Sequence, residues 1–166
     1  MRKTFGPFDD FLIERLFQPL TDLIAQRGGF SRSAASCFCI DIASLAWIVS
    51  RAQGLSDAAA HWDGAALMGP ARLMLGLVAL VSLRTLLRKS GGNGLGNPLR
   101  AAMRPHRAVA LMLLLARLAQ IHAIDLADTA DTVMLVFAVS AMYLGACAER
   151  PPLRRRWQLF ASTKAG

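Results

Sequence analysis

The sequence predicts an all-α membrane protein: a four-helix transmembrane bundle with an N-terminal amphipathic interfacial helix. Of the 166 residues, 54% are hydrophobic and only 18% are charged, which leaves less polar surface than a soluble domain of this size needs. Four apolar stretches approach the length of about 20 residues with which an α-helix crosses a bilayer. These predicted spans cover about 34–51, 70–87, 107–124 and 132–148.

The positive charges predict how these helices are oriented. Of the 19 Lys and Arg residues, five lie in 1–35, six in 84–107 and five in 149–166, whereas none lies between 118 and 149. Because cytoplasmic segments of membrane proteins are enriched in Lys and Arg, this alternation predicts that both termini are cytoplasmic. The abundance of Arg, Ala and Leu is typical of a GC-rich bacterial genome, and hence of a bacterial inner membrane. The flanking arginines account for the net charge of +8, so no nucleic-acid partner is expected.

Residues 1–30 are predicted to form the amphipathic helix on the cytoplasmic side. Hydrophobic residues from Phe8 to Ile24 follow helical spacing, and Pro19 should kink or divide the helix. Its polar face is net acidic, whereas a helix that only lies on anionic lipid usually carries a basic face. The acidic face indicates either a protein partner or packing on the protein's own basic loops, and a plain interfacial helix is the alternative.

The transmembrane domain is predicted to cover 31–148, with a short polar turn at 125–131 before the last span. A basic cytoplasmic tail follows at 149–166. Clustered arginines attract anionic lipid, and indole rings settle at the membrane interface. Four residues form this predicted inner-leaflet anchor: Arg154, Arg155, Arg156 and Trp157.

Charged residues inside the predicted spans are the first functional candidates, because a charge at the bilayer centre costs about 2.5–3.5 kcal/mol on insertion scales. Asp41 in the first span and Arg117 in the third lie at depths that an Arg side chain bridges, and Arg84 in the second span is a competing partner for Asp41. One hypothesis is an ion pair that locks the helices together, and the other is a proton or ion relay through Asp41. The structural pair is favoured, since a relay needs several acids in series.

Two residue pairs on the outer side have a spacing that suits a shared metal ion. Asp57 and His61 are four residues apart, and His122 and Asp125 are three apart. Each spacing places both side chains on one helical face. The alternative interpretation is a solvated acidic rim with helix caps, and no cofactor is predicted.

Small residues recur at helical spacing on the first and fourth spans. In lipid, such faces let two helices approach closely. Internal packing of the bundle and docking onto another membrane subunit both explain them. The residues are Ala35, Cys39 and Ala43 on the first span and Ala138, Ala141 and Gly145 on the fourth.

No nucleophile or metalloprotease motif occurs in the sequence, so we do not expect an enzyme. The sequence predicts an accessory or scaffold subunit of a larger membrane complex. Its expected partners are the lipid bilayer and either other membrane subunits or further copies of itself. The alternative is a small oligomeric transporter or ion-conducting protein that uses Asp41 and Arg117.

Overall fold

The computed structural model describes residues 5–60, 68–90, 98–120 and 126–148. Within these ranges the regular structure is entirely helical, which confirms the all-α prediction. The chain begins with an N-terminal arm, residues 5–28, and continues into a set of longer helices. These helices are, in chain order after the arm, α3 (Arg32–Ala60), α4 (Met68–Ser90), α5 (Pro98–Ala102), α6 (Arg104–Ala119) and α7 (Leu126–Ala146).

The arm consists of α1 (Phe5–Phe11), a π-helical turn (Leu12–Phe17) and α2 (Gln18–Gly28). The π-helical turn lies directly before Pro19, which has no backbone N–H and so interrupts the α-helical hydrogen bonding. The N–H of Gln18 instead donates to the carbonyl of Ile13, five residues back, as in a π-bulge. The predicted division of the helix at Pro19 therefore takes the form of a wider turn rather than a break. Gly29 ends the arm at φ 65°, a left-handed conformation that glycine adopts without strain.

Three helices are long and apolar enough to cross a membrane, over Arg32–Ala52, Met68–Lys89 and Leu126–Ala146. The described part of α6 has 16 residues, or about 24 Å at 1.5 Å per residue, which is shorter than the hydrocarbon core of about 30 Å. The end of the predicted third span, 121–124, lies outside the described residues. By length and composition, the described residues therefore supply three of the four predicted spans.

The helix α7 begins at Leu126, six residues before the predicted start of the last span, and includes most of the predicted polar turn. Asp128 and Asp131 belong to its first turns, where their carboxylates pair with Arg117 and Arg51. Hydropathy alone predicts a loop for such polar residues, but acidic side chains are favourable at a helix N-terminus.

The helices α3 and α7 form the central antiparallel pair. At one end the guanidinium of Arg32 donates to the carbonyl of Cys147, and we call this the arm end of the bundle. At the other, the far end, Nη2 of Arg51 lies 3.3 Å from Oδ2 of Asp131. The chain therefore enters α3 at the arm end and leaves α7 at the same end.

The helix α4 runs antiparallel to α3. Near the start of α4, the indole N–H of Trp47 donates to the carbonyl of Leu73 at 3.2 Å, and nearer its end Arg84 pairs with Asp41. The last helices are also antiparallel. The guanidinium of Arg107 lies over the ring of Tyr143, whereas Arg117 pairs with Asp128 at the far end. Four helices thus alternate in direction: α3, α4, α6 and α7.

Most of the bundle core lies between α3, α4 and α7. Three of the small residues singled out in the sequence, Ala43, Ala138 and Ala141, are buried in one cluster here, while Ala35 and Cys39 are half-buried. Gly145 is also buried, and a methyl group at that position would meet the side chain of Leu87. The core cluster contains Ile40, Ala43, Leu80, Leu87, Ala138 and Ala141.

Candidate functional site

Acidic side chains of the arm meet arginines from α5 and the beginning of α6. We call this group the acid–arginine cluster. Its members come from segments about 90 residues apart in the chain, so they connect the arm directly to the bundle. The members are Asp9, Asp10, Glu14, Arg100, Arg104 and Arg107.

The centre of the cluster is an ion pair between Asp9 and Arg107, and both side chains are 0% exposed. Nε of Arg107 donates to Oδ1 of Asp9 at 3.0 Å, and Nη2 donates to Oδ2 at 2.5 Å. The same Nη2 donates to the carbonyl of Arg100 at 2.8 Å. A buried ion pair offsets the desolvation of its two charges only when such bidentate geometry and further hydrogen bonds are present.

Aromatic rings lie beneath this ion pair. The rings of Phe17 and Tyr143 stack with centroids 4.8 Å apart, and the guanidinium of Arg107 lies 5.6 Å from the Tyr143 centroid, within the range of a cation–π contact. Ile13 of the arm is buried in the same apolar cluster as Tyr143 and Val139 of α7. The arm is therefore held by charge against α6 and by apolar packing against α7.

The rim of the cluster is partly exposed. Oδ1 of Asp10 accepts from Arg100 at 2.9 Å and its Oδ2 from Arg104 at 3.1 Å, while Glu14 accepts from Arg100 at 2.8 Å. The hydrogen bond from Arg100 is the largest of the influences that hold the pKa of Asp10 below its usual value of 3.8. The hydrogen bond to Glu14 is likewise the main reason that the pKa of Arg100 is raised.

Acidification should loosen the rim of the cluster. Because the pKa of Asp10 is lowered in the folded protein, its stabilising contribution is complete above its ordinary pKa of 3.8 and is lost as the pH falls through the lowered value. We therefore expect amide exchange in α1, corrected for its intrinsic pH dependence, to accelerate below about pH 4. The variant Asp10→Asn should exchange faster already at neutral pH and show a smaller acid step. Equal acid steps in the two proteins would contradict this assignment.

Gln18 and Arg32 bind the last carbonyls of the α7 region. The side-chain amide of Gln18 donates to the carbonyl of Ala148 at 3.0 Å and accepts from the N–H of Ala148 at 2.9 Å. Arg32 donates to the carbonyl of Cys147. These bonds satisfy backbone groups that a helix end otherwise leaves unpaired, and they attach the arm and α3 to the end of α7.

The intramembrane charge candidates separate into two different ion pairs. Asp41 pairs with Arg84, with Nε–Oδ1 at 2.9 Å and Nη2–Oδ2 at 3.2 Å. Arg117 instead pairs with Asp128. Asp41 faces α4, whereas α6 packs on α7, so the combination of Asp41 with Arg117 does not form and Arg84, the competing partner, takes its place.

The Asp41–Arg84 pair is unusual for its exposure. The Asp41 side chain is 51% exposed and that of Arg84 is 46% exposed, although Asp41 lies in the middle of the apolar segment Arg32–Ala52. The other pair on α3 is less exposed: Arg51 contacts Asp131 and also lies 4.3 Å from the ring centroid of Trp47.

The predicted metal ligands are not tested by the structure. The side chains of Asp57, His61, His122 and Asp125 fall outside the described part, as does the predicted membrane anchor at 154–157. Among the residues that are described, no group of three or more His, Cys, Asp or Glu side chains is placed to hold a metal ion.

Each acidic side chain that the structure describes contacts an arginine or Gln18. The contacts are Asp9 with Arg107, Asp10 and Glu14 with Arg100, Asp22 with Gln18, Asp41 with Arg84, Asp128 with Arg117, and Asp131 with Arg51. Nearly all of these contacts join two different helices. The chemistry of this arrangement is therefore attachment: it fixes helices to each other.

The acidic face of the arm predicts a basic partner, but no local pattern marks any particular arginine as that partner. By sequence, Arg107 is the first residue of the predicted third span, and nothing in the local sequence distinguishes Gln18 or Tyr143. The acidic face itself was the available signal, because it indicated packing on a basic loop. No family model matches the chain, and comparisons with curated proteins and with solved structures find no match.

Proposed function

We propose that this chain is a four-pass protein of a bacterial inner membrane and serves as a non-catalytic accessory or scaffold subunit of a larger membrane complex. The proposal rests on the contacts that the described acidic side chains make. Each of them contacts an arginine or Gln18, so the charges serve to join helices. Three candidate spans with exposed apolar side chains support the membrane location.

The direction of the helices supports a fourth crossing by α6. The helix α4 ends at the arm end of the bundle, and α7 begins at the far end. The chain between Ser90 and Leu126 must therefore return across the full height of the bundle. The helix α6 makes this return, with Arg107 beside Tyr143 near the arm end and Arg117 beside Asp128 at the far end.

The distribution of basic residues supports a cytoplasmic arm end. Arg32 begins α3 there, Arg88 and Lys89 end α4 there, and α6 begins there with Arg104 and Arg107. Lys and Arg are enriched on the cytoplasmic side of membrane proteins. Because the arm and the end of α7 both lie at this end, both termini are cytoplasmic in the proposal.

The outer surface of the bundle fits a lipid environment. Large hydrophobic side chains on α3, α4 and α6 are more than half exposed, and exposed apolar surfaces of this kind mark contacts with a membrane or with another protein. Acyl chains cover such a surface without cost. Examples are Leu75 and Val78 on α4, and Met112 and Leu113 on α6.

The arm combines packing on the protein's own basic residues with the interfacial position that was the alternative interpretation. Its acidic residues contact the protein's own arginines, while hydrophobic residues at helical spacing remain exposed on another side. An apolar stripe of this kind lies in the membrane interface by its buried area alone. The exposed residues are Phe8, Phe11, Leu16, Leu20 and Leu23.

The transporter hypothesis depends on Asp41 and Arg117 acting together, but these two residues belong to different ion pairs. Asp41 contacts Arg84, and Arg117 lies beyond α7 in contact with Asp128. No described acidic side chain stands free to continue a relay from Asp41. The described charges therefore favour a structural role over an ion relay.

The test is a pull-down of the tagged full-length chain from its native membrane in mild detergent, with mass spectrometry of the proteins that stay bound. We expect a different membrane protein at a fixed stoichiometry. A tagged, unrelated four-pass protein of the same membrane controls for nonspecific capture. Recovery of this chain without any other protein at fixed stoichiometry would contradict an accessory role.

A further inference from the structure

The α3–α4 face is the part of the molecule whose exposure is hardest to reconcile with lipid. We define this face by five exposed residues at helical spacing on the two helices: Phe38, Asp41, Leu45, Val81 and Arg84. Its centre is the half-exposed ion pair, and its surroundings are apolar. Intramembrane charges almost always face a protein interior or a water-filled cavity, whereas this pair faces outward from a single copy of the chain.

The position of the pair makes contact with acyl chains costly. Asp41 lies nine residues after Arg32, the first residue of its span, or about 14 Å along the helix. This is close to half of a hydrocarbon core of about 30 Å. The helix α4 is also the least buried of the three candidate spans, so its outer side has room for a further helix.

The hydrogen bonds of the pair leave part of its capacity unused. Arg84 contacts Asp41 through Nε and Nη2, but a guanidinium has five N–H donors and a carboxylate has about four acceptor positions. Both side chains are about half exposed, so the remaining donors and acceptors are accessible to a partner. A partner that fits this surface must therefore offer an acceptor next to a donor, with no net charge.

We infer that the α3–α4 face binds a second copy of this chain around a two-fold axis. Such an axis places the same patch on both sides of the interface. Arg84 of one copy then meets Asp41 of the other, and two ion pairs form a neutral group of four charges shielded from lipid. A partner helix with a single charge would leave an unbalanced charge in the interface. This inference rests on the proposed membrane location and adds a homodimer to the proposed complex.

Photo-crosslinking in native membranes tests the inference. A photoreactive amino acid at Val81, within the α3–α4 face, should give an adduct of roughly twice the 17.9 kDa chain, identified as self-linked by mass spectrometry. The same amino acid at Leu113, an equally exposed residue of α6, is the matched control and should give no such adduct. Equal self-adducts at both positions, or none at Val81, would overturn the inference.

A double variant tests the ion pair itself. Asp41→Ala with Arg84→Ala removes both charges together and leaves no unpaired charge in lipid. We expect the self-adduct at Val81 to fall by about tenfold, as for the loss of interhelical hydrogen bonds worth 1–2 kcal/mol, and an unchanged yield would overturn the role of the pair. An adduct at Val81 with a different membrane protein would overturn the homodimer and leave the accessory role standing. A pull-down without another protein would contradict the accessory role alone.

Discussion

Replacing Arg107 with alanine should detach the arm from the bundle. The substitution leaves the carboxylate of Asp9 fully buried and removes both hydrogen bonds that it receives from Arg107. Breaking a buried ion pair from one side costs about 3–5 kcal/mol, and here the contact of 3.5 Å between Nε of Arg104 and Oδ2 of Asp9 remains and offsets part of the charge. The ring of Tyr143 also loses the guanidinium above it. We expect faster proteolysis within the arm and a lower unfolding temperature in mild detergent.

Two further variants separate charge from packing. Arg104 contacts the same cluster, but its side chain is 42% exposed, so Arg104→Ala should cost about 0–1 kcal/mol, as exposed ion pairs do. The double variant Asp9→Leu with Arg107→Leu replaces the buried pair by apolar side chains and should recover most of the stability lost in Arg107→Ala. Similar losses for Arg104→Ala and Arg107→Ala would contradict the central role of the buried pair.

The sequence predicts the long helices well because their signal is local. Hydropathy placed spans at 34–51 and 70–87, and the structure has apolar helical segments at Arg32–Ala52 and Met68–Lys89. The start of α7 was predicted too late, because Asp128 and Asp131 are polar in isolation. Their arginine partners lie on other helices, and no local pattern contains that information.

The candidate site was predictable only in outline. From its depth in the predicted span, Asp41 could reach either Arg84 or Arg117. Depth alone does not show which helices are neighbours. The structure places α4 beside α3 and α6 beside α7, which decides between them. The acidic face of the arm predicted a basic partner, but its link to α5 and α6 depends on contacts across about 90 residues.

Introducing a single methyl group at Gly76 should destabilise the bundle strongly. A Cβ atom at this position of α4 would lie far inside van der Waals contact with the indole ring of Trp47. The ring has little freedom to move, because its N–H donates to the carbonyl of Leu73 at 3.2 Å and the guanidinium of Arg51 lies 4.3 Å from its centroid. Overpacking of this kind costs about 1–3 kcal/mol or more, which exceeds the gain of about 1 kcal/mol in helix propensity from glycine to alanine.

The comparison with Gly145 makes the prediction for Gly76→Ala specific. A methyl group at Gly145 would meet one terminal methyl group of the buried Leu87 side chain, which can shift by changing its side-chain torsions, whereas the indole of Trp47 is a rigid ring that meets the new methyl group with several atoms. Gly145→Ala should therefore lower the unfolding temperature less than Gly76→Ala in the same detergent. Adding Trp47→Leu should destabilise the wild-type protein but recover stability in Gly76→Ala, because it removes the ring that the methyl group displaces. If Gly76→Ala unfolds at the wild-type temperature, α3 and α4 do not approach each other at this point.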